Sequence, residues 1–277
     1  MKPETVILRE SIRSALSNGE FEVYYQPIID ISSNKIVAAE ALIRWNHPEL
    51  GLLYPDSFIP SAEESGMISL LGEFVVRDAC RQIRKWLDGD NFVMKICINL
   101  SLAQLCDPDF ARKIQQILRE AEVSPKLLEF EVTESMAMSD MEGTLSILQE
   151  LKDIGATIAL DDFGTGYSSL SHLHQFPVDV LKLDGDFVQK SLMSEKGSKL
   201  LRAILLLAHT LDLEVIAEGV ETEEQLLLVK LLGGKLVQGY YFSRPMPIKD
   251  YVNWCNGYVT AHQTALETAL DFRSELQ

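Results

Sequence analysis

Eight short runs rich in apolar and β-branched residues recur along the chain, and segments with helical periodicity separate most of them. The runs are FEVYYQPII (21–29), KIVAAEALI (35–43), FVMKICINL (92–100), LLEFEV (127–132), TIALDD (157–162), VDVLKLD (178–184), EVIAEGV (214–220) and LVQGYYF (236–242). Helical spacing of apolar residues marks the segments between them, such as GEFVVRDACRQIRKWL and LLRAILLLAHTLDL. This alternation predicts an α/β fold with a parallel sheet, and eight units within about 250 residues fit a (β/α)8 TIM-like barrel. A doubly wound open sheet is the alternative.

The first two runs are joined by only DISSN, residues 30–34. A connection of this length makes a hairpin, because parallel neighbours need a crossover of a dozen or more residues. We therefore expect a modified barrel in which strands 1 and 2 form an antiparallel hairpin. The last residues predict an extra C-terminal helix, so we divide the chain into a barrel over residues 1–250 and a helical extension over residues 251–277.

Composition narrows the class of protein. The 277 residues are 47% hydrophobic and 24% charged, which is typical of a soluble globular domain. A formal net charge of −16 argues against a nucleic-acid polymer as partner, since such binders carry a basic face. The four cysteines form no C-x-x-C pair, and neither a signal peptide nor an 18-residue apolar stretch is evident. We expect a cytoplasmic protein with reduced thiols and no membrane segment in this chain.

Polar residues cluster near the predicted strand ends, which in a barrel meet at one mouth where active sites lie. Most are carboxylates and amides, joined by a lysine and an arginine: Gln26, Glu40, Arg44, Asn99, Ser101, Glu129, Glu131, Glu134, Asp161, Asp162, Lys182, Asp184, Glu218, Glu221 and Gln238. Oxygen ligands of this kind suit Mg²⁺ or Mn²⁺. The adjacent Asp161 and Asp162 repel each other unless a cation lies between them, and such carboxylates can bridge a pair of metal ions.

Several of these residues also have a purely structural interpretation. Glu131 and Asp184 could cap helices, and Asn99 could cap the segment that follows it. Lys182 could be the buried ion-pair partner of an acid. The convergence of the whole set at one mouth nevertheless favours a site.

The motifs and their order resemble the EAL-domain family of cyclic di-GMP phosphodiesterases. The resemblance covers about residues 8–250 and rests on YYQPI (24–28), EALIRW (40–45), INLS (98–101), FEVTES (130–135), DDFGTGYSSLSHL (161–173), LKLD (181–184), AEGVET (217–222) and QGYYFSRP (238–245). It implies a barrel with one antiparallel strand. It also implies hydrolysis of cyclic di-GMP to linear pGpG, with two Mg²⁺ or Mn²⁺ ions per site, by a homodimer.

The resemblance also implies roles for individual residues, carried over by motif. Glu40, Asn99, Glu131 and Asp161 are expected to ligate the first metal. Asp161 is expected to bridge to a second metal held by Asp162, with Glu218 as a further ligand or a partner there. Lys182 is expected to position or deprotonate the attacking water, so that the catalytic set is Glu40, Lys182 and Glu218. The expected nucleotide contacts are Gln26, Leu42, Arg44 and Gln238, and the residues expected to stabilise loops are Glu134, Asp184 and Glu221.

One departure from the family pattern follows LKLD, where Gly185 and Asp186 replace the usual basic residue and serine. This departure concerns the dimer surface or local charge rather than the metal ligands. The alternative functions are a catalytically inactive cyclic di-GMP receptor or signalling module, and an unrelated metal-dependent barrel enzyme such as an enolisation catalyst. Inactive relatives typically lose a metal ligand, whereas this chain keeps every one that the motifs define.

Overall fold

The computed structural model describes residues 12–89, 93–139, 141–164 and 176–275. Its ten strands form one sheet: β1 (Phe21–Asp30), β2 (Lys35–His47), β3 (Gly51–Leu53), β4 (Lys95–Asn99), β5 (Leu128–Thr133), β6 (Thr157–Phe163), β7 (Val180–Leu183), β8 (Glu214–Ala217), β9 (Leu236–Gln238) and β10 (Met246–Pro247). Eight of them follow the order β1-β9-β8-β7-β6-β5-β4-β2, and the pairing of β1 with β2 closes the barrel. The predicted barrel is confirmed, and the open doubly wound sheet is excluded.

Strand β1 is antiparallel to both of its barrel neighbours, while the other seven barrel strands, β2 and β4 to β9, pair in parallel around the barrel. The predicted hairpin of the first two strands is therefore confirmed. Its register places Gln26 directly opposite Glu40. Residue Gln238 of β9 lies opposite Ile28 on the other side of β1. Three glutamine and glutamate side chains thus project from three adjacent strands.

Four predicted strands, β4, β7, β8 and β9, are shorter than their sequence patterns. The last barrel strand ends at Gln238, and the chain turns at Gly239, whose oxygen accepts from the amides of Phe242 at 3.2 Å and Ser243 at 3.3 Å. Strand β8 ends at Ala217. The short strands β3 and β10, which were not predicted, pair with β2 and β1 at the edges of the barrel.

Helices cover the outside of the barrel. In the described ranges they comprise residues 12–18, Pro55–Glu64, Ile68–Gly89, Leu102–Leu105, Phe110–Ala121, Glu134–Ser139, Met141–Asp153, Gly185–Leu192, Glu195–Thr210, Glu223–Leu232 and Ile248–Glu275, with a 3-10 turn at Pro125–Leu127. Among the helical residues so described, no helix is both long enough and apolar enough to cross a membrane. The four cysteines are free thiols, as expected.

The C-terminal helix begins at Ile248, three residues before the predicted start, and its first turns belong to the core. Tyr251 and Cys255 are fully buried, and the Tyr251 hydroxyl donates a hydrogen bond to the Met94 sulfur at 3.0 Å. The predicted extra helix is therefore confirmed. The division of the chain at residue 250 stays a prediction.

Two apolar layers surround the polar mouth of the barrel. The larger layer lies between the strands and the helices, and the smaller one fills the bottom of the barrel interior. The interior layer consists of Ile28, Ala38, Cys97, Ala159, Val180 and Ile216. Side chains two residues apart on a strand point to the same face. Each of these residues is therefore followed, one step toward the mouth, by a polar residue such as Glu40, Asp161 or Lys182.

Candidate active site

The ammonium group of Lys182 lies at the centre of the barrel mouth, among four carboxylates from four other strands or strand ends. Its Nζ atom is 2.8 Å from Glu131 Oε1 and 2.8 Å from Glu218 Oε1. The same atom is 3.4 Å from Asp161 Oδ2 and 3.9 Å from Glu40 Oε2. The structural interpretation of Lys182 as an ion-pair partner is thus correct in geometry, but its partners are the residues that the motifs assign to metal binding.

Burial sets the electrostatics of this cluster. It raises the pKa of Glu131 well above its usual range, and it raises the pKa of Glu218 to about 8, although Lys182 acts in the opposite direction on both. Burial alone would lower the pKa of Lys182. The carboxylates of Glu131 and Glu218 outweigh that effect and hold the Lys182 pKa well above its usual range. One ammonium thus faces four carboxylates at the mouth.

Glu40 is held by two side-chain amides. Asn99 Nδ2 donates to Glu40 Oε1 at 2.7 Å, and Gln238 Nε2 donates to Glu40 Oε2 at 2.6 Å. Asn99 caps no helix, because the following helix begins at Leu102 with Ser101 as its N-cap. The capping interpretation of Asn99 is therefore wrong. Since the amide nitrogen of Asn99 donates to Glu40, its oxygen remains the ligand atom available to a cation.

A β-bulge interrupts strand β6 at the two adjacent aspartates. The register between β6 and β7 shifts from Leu160 opposite Leu181 to Phe163 opposite Leu183, so that three residue steps on β6 oppose two on β7. Within the bulge, Asp162 has a left-handed backbone with φ of 57°. Its amide donates to Asp161 Oδ1 at 2.8 Å. Bulges re-aim side chains in this way, and burial followed by the charge of Asp161 raises the pKa of Asp162.

Arg44 lies above the carboxylates, on the same face of β2 as Glu40 and the half-buried Leu42. Its guanidinium carbon is 5.4 Å from the centre of the Tyr24 ring and 4.9 Å from that of Tyr54. The Nε atom of Arg44 is buried and has no hydrogen-bond partner among the described residues. Burial lowers the Arg44 pKa. A buried cation with an unused donor is suited to an anionic oxygen of a ligand.

A cavity of about 280 Å³ opens beside the carboxylates. It is lined by predicted site residues, by three glycines and by one tyrosine: Gln26, Glu40, Gly185, Glu218, Gly219, Glu221, Gln238, Gly239 and Tyr240. Sequence reasoning did not single out Tyr240, whose half-exposed ring carries the Arg244 guanidinium 4.1 Å from its centre. Gly185, where the sequence differs from the family pattern, also lines this cavity, and a Cβ at that position would lie 3.0 Å from the Cα of Gly219.

The three residues expected to stabilise loops lie around the mouth rather than inside the carboxylate cluster. Asp184 caps the following helix, and its Oδ1 accepts from the Phe187 amide at 2.9 Å, so its capping interpretation is correct. Glu134 begins the helix after β5. Glu221 lines the cavity. Most of the loop that follows β6, residues 165–175, lies outside the described residues, and the loop-stabilising roles stay predictions.

A second acidic group lies one layer deeper. Glu129 Oε1 accepts from Cys97 Sγ at 3.5 Å, and its Oε2 lies 3.5 Å from Lys95 Nζ. Ligand atoms of Cys97, Glu129 and Glu131 all fall within 4.8 Å of one another. Burial raises the pKa of Glu129. Glu131 therefore joins this deeper group to the mouth, and it lies within a strand rather than capping a helix.

The residues at the mouth fit a divalent cation. Four acidic side chains surround one ammonium in a largely buried position, and burial favours the protonated form of two of them, Glu131 and Glu218, until a cation replaces the proton. Apart from Lys182, neither oxygen of the fully buried Glu131 has a hydrogen-bond partner in the described part of the chain. Buried carboxylate oxygens without donors are the hard ligands that Mg²⁺ and Mn²⁺ take.

A closed barrel with one antiparallel strand and an acidic mouth defines the class, and the sequence comparison gives the family. Residues 9–245 match the family described as EAL domain. The chain therefore belongs to the EAL domain family, and the resemblance drawn from its motifs is confirmed.

Known relatives are similar over nearly the whole chain. The cyclic di-GMP phosphodiesterase NbdA of Pseudomonas aeruginosa is 37% identical over 91% of this chain and 32% of its own length. The cyclic di-GMP phosphodiesterase PdeR of Escherichia coli is 39% identical over 92% of this chain and 38% of its own length. This chain thus spans about a third of the length of these relatives. The structure of the PaMucR phosphodiesterase in complex with c-di-GMP superposes with a TM-score of 0.83 at 39% identity, covering 88% of this chain and 99% of that one.

Proposed function

We propose that this chain is a metal-dependent phosphodiesterase that hydrolyses cyclic di-GMP to linear 5′-pGpG. The observation that carries the proposal is the cluster of Glu40, Glu131, Asp161 and Glu218 around Lys182, with Arg44 above it. An acidic cation site next to a buried arginine matches a substrate that is an anionic diester. The names of similar relatives support the same substrate and reaction.

The expected metal ligands are divided between two ions of Mg²⁺ or Mn²⁺. Glu40, Asn99, Glu131 and Asp161 would hold the first ion, and Asp161 with Asp162 would hold the second, with Glu218 beside it. When bound, such ions supply neutralisation of the phosphodiester and a water of lowered pKa. The electrostatics of Asp162 support this division, because the charges of Asp161, Lys182 and Glu40 all act on the Asp162 carboxyl group.

Lys182 acts at the centre of this machinery. Its ammonium remains charged, because the carboxylates around it raise its pKa, so it donates hydrogen bonds rather than removing a proton. It therefore serves to orient the attacking water and to bridge Glu131 and Glu218, whose mutual repulsion it offsets. Attack on phosphorus in line with the 3′-oxygen expels that oxygen and leaves the phosphate on the 5′ side.

Arg44 and the cavity beside it bind the nucleotide. The guanidinium, held between Tyr24 and Tyr54, donates to a phosphate oxygen, and the cavity lined by Tyr240 and glycine backbone takes the adjoining nucleoside. Leu42 contributes an apolar contact from the same face of β2. A homodimer and a cytoplasmic location stay predictions of the family resemblance.

The proposal is tested by incubating the chain with cyclic di-GMP and Mn²⁺ or Mg²⁺ and separating the nucleotides by ion-exchange chromatography. We expect pGpG to accumulate, EDTA to stop its formation, and excess metal to restore it. Glu40→Gln should abolish turnover without unfolding the protein, whereas Glu49→Gln, at an exposed turn position, should not affect it. Tight binding of cyclic di-GMP with no product would instead identify an inactive receptor.

A further inference from the structure

A chain of three hydrogen bonds crosses the barrel mouth and ends on Glu40. Gln26 Nε2 donates to the backbone oxygen of Ser243 at 3.0 Å. Gln238 Nε2 donates both to Gln26 Oε1 at 3.1 Å and to Glu40 Oε2 at 2.6 Å. The side chains of Gln26 and Gln238 are buried, and both line the cavity beside the carboxylates.

The groups at the two ends of this hydrogen-bond chain determine which atoms donate and which accept along it. A backbone carbonyl can only accept a hydrogen bond, and so can an ionised carboxylate. Ser243 therefore forces the nitrogen of the Gln26 amide toward itself and leaves the Gln26 oxygen facing Gln238. The Gln238 nitrogen must then face both Gln26 and Glu40, so neither amide can rotate without losing a bond.

The backbone around Ser243, where the hydrogen-bond chain begins, is held in place by further contacts. The amide of Ser243 donates to the Gly239 oxygen at 3.3 Å, and Tyr241 donates to the Val220 oxygen at 3.0 Å. Gly239 packs so closely on Val220 that no side chain fits there. At the other end, strand pairing holds Gln26 directly opposite Glu40. The segment after β9 thus provides a fixed acceptor that orients Gln26, and Gln26 in turn orients Gln238.

We propose that Gln26 is a positioning residue that orients Glu40 for metal binding through the Gln238 amide, rather than a contact to the nucleotide. This inference deepens the proposed function and rests on its assignment of Glu40 as a metal ligand. The buried Gln238 Oε1 has no hydrogen-bond partner among the described residues. In this orientation it is left as an acceptor that faces away from Glu40.

We call this path from Ser243 through Gln26 and Gln238 to Glu40 the relay. It is tested by titration calorimetry of Mn²⁺ into the metal-free protein, without nucleotide, for Gln26→Met, Gln238→Met and the double variant. Methionine keeps the length of glutamine and removes its amide. We expect each single variant to lose about 10- to 100-fold in Mn²⁺ affinity, as is typical when the partner of a metal ligand is removed. Because Gln26 acts only through Gln238, the double variant should bind Mn²⁺ no more weakly than Gln238→Met.

Two outcomes would overturn the relay. Gln26→Met could bind Mn²⁺ as the wild type does and instead raise KM for cyclic di-GMP, as a direct nucleotide contact would. Alternatively, the losses of the single variants could multiply in the double variant. Gln149→Met, on an exposed helix position, is the matched control, and thermal melting checks folding. If Gln26→Met does not fold, Gln26→Leu makes the same test.

The readout separates this inference from the proposed function. If the variants lose Mn²⁺ affinity as expected but the wild-type protein leaves cyclic di-GMP intact, the relay is supported and the proposed activity is contradicted. If the wild-type protein forms pGpG while Gln26→Met keeps full Mn²⁺ affinity, the proposed activity is supported and the relay is contradicted. A wild-type protein that binds no Mn²⁺ would overturn the relay whatever its behaviour toward the nucleotide.

Discussion

Lys182 Nζ and Glu131 Oε1 lie 2.8 Å apart at the mouth of the barrel, and each side chain is at most 1% exposed. They come from β7 and β5, so β6, which carries Asp161, lies between them in the sheet. A buried ammonium shared by four carboxylates fixes the relative positions of residues that are far apart in sequence. The cluster is therefore held together before any ligand enters.

Removing this ammonium should destabilise the metal-free protein. Lys182→Met leaves buried carboxylates without their counter-charge, and breaking a buried ion pair in this way typically costs about 3–5 kcal/mol. Urea unfolding in EDTA measures the loss, and excess Mn²⁺ should restore part of the stability by supplying positive charge. Lys190→Met, which removes an exposed helical pair with Asp186, is the control. Equal stability of Lys182→Met and wild type in EDTA would contradict the central role of Lys182.

The pattern of apolar runs was sufficient to predict the barrel, its antiparallel first hairpin and the terminal helix. Each of these follows from local information, namely strand length, connection length and helical periodicity. The ends of the strands were harder to predict, because long-range packing determines them. Strand β9 stops at Gln238, and the next residue, Gly239, packs against the backbone of Val220 from the segment after β8.

The site could be predicted as a set of residues but not as an arrangement. Motif order identified Glu40, Glu131, Asp161 and Lys182, whose convergence the fold explains. The bulge at Asp162 was hidden, because nothing in the letters DD distinguishes a regular strand from one with a left-handed residue. The hydrogen-bond chain through Gln26 depends on a register between strands that are far apart in sequence. Tyr240 was not predicted as a site residue, because only the folded structure shows that it lines the cavity.

Metal affinity should rise with pH. Burial raises the pKa of Glu131 and of Asp162, and it raises the pKa of Glu218 to about 8 in the metal-free protein. Each carboxylate must lose its proton to bind a cation, so protons compete with the metal, and binding releases them. Mn²⁺ titrations between about pH 6 and about pH 9 should show affinity increasing with pH, most steeply below about pH 8, where Glu218 is mostly protonated.

The same titrations in buffers of different ionisation enthalpy give the number of protons released. A Mn²⁺ affinity that stays constant over this range, or binding without proton release, would show that the buried carboxylates do not ligate the ion.

Replacing the buried arginine should weaken substrate binding more than turnover. Arg44→Lys keeps a positive charge but loses the planar fork held between Tyr24 and Tyr54. A hydrogen bond to a charged group contributes about 1.5–3 kcal/mol, so KM for cyclic di-GMP should rise by about 10- to 150-fold. Steady-state kinetics give the comparison, with the exposed Arg119→Lys as the control. A fall in kcat at unchanged KM would place Arg44 outside the nucleotide contacts.

Isotope labelling tests the central claim most directly, namely that the carboxylate cluster around Lys182 serves the attack of water on a cyclic dinucleotide. The chain is incubated with cyclic di-GMP and Mn²⁺ in ¹⁸O-enriched water, and the product is analysed by mass spectrometry. The proposed reaction predicts linear pGpG with a single ¹⁸O atom in its 5′-phosphate, and no such product from Glu40→Gln. Intact cyclic di-GMP after prolonged incubation with the wild type, or a product that carries its phosphate on the 3′ side, would contradict it.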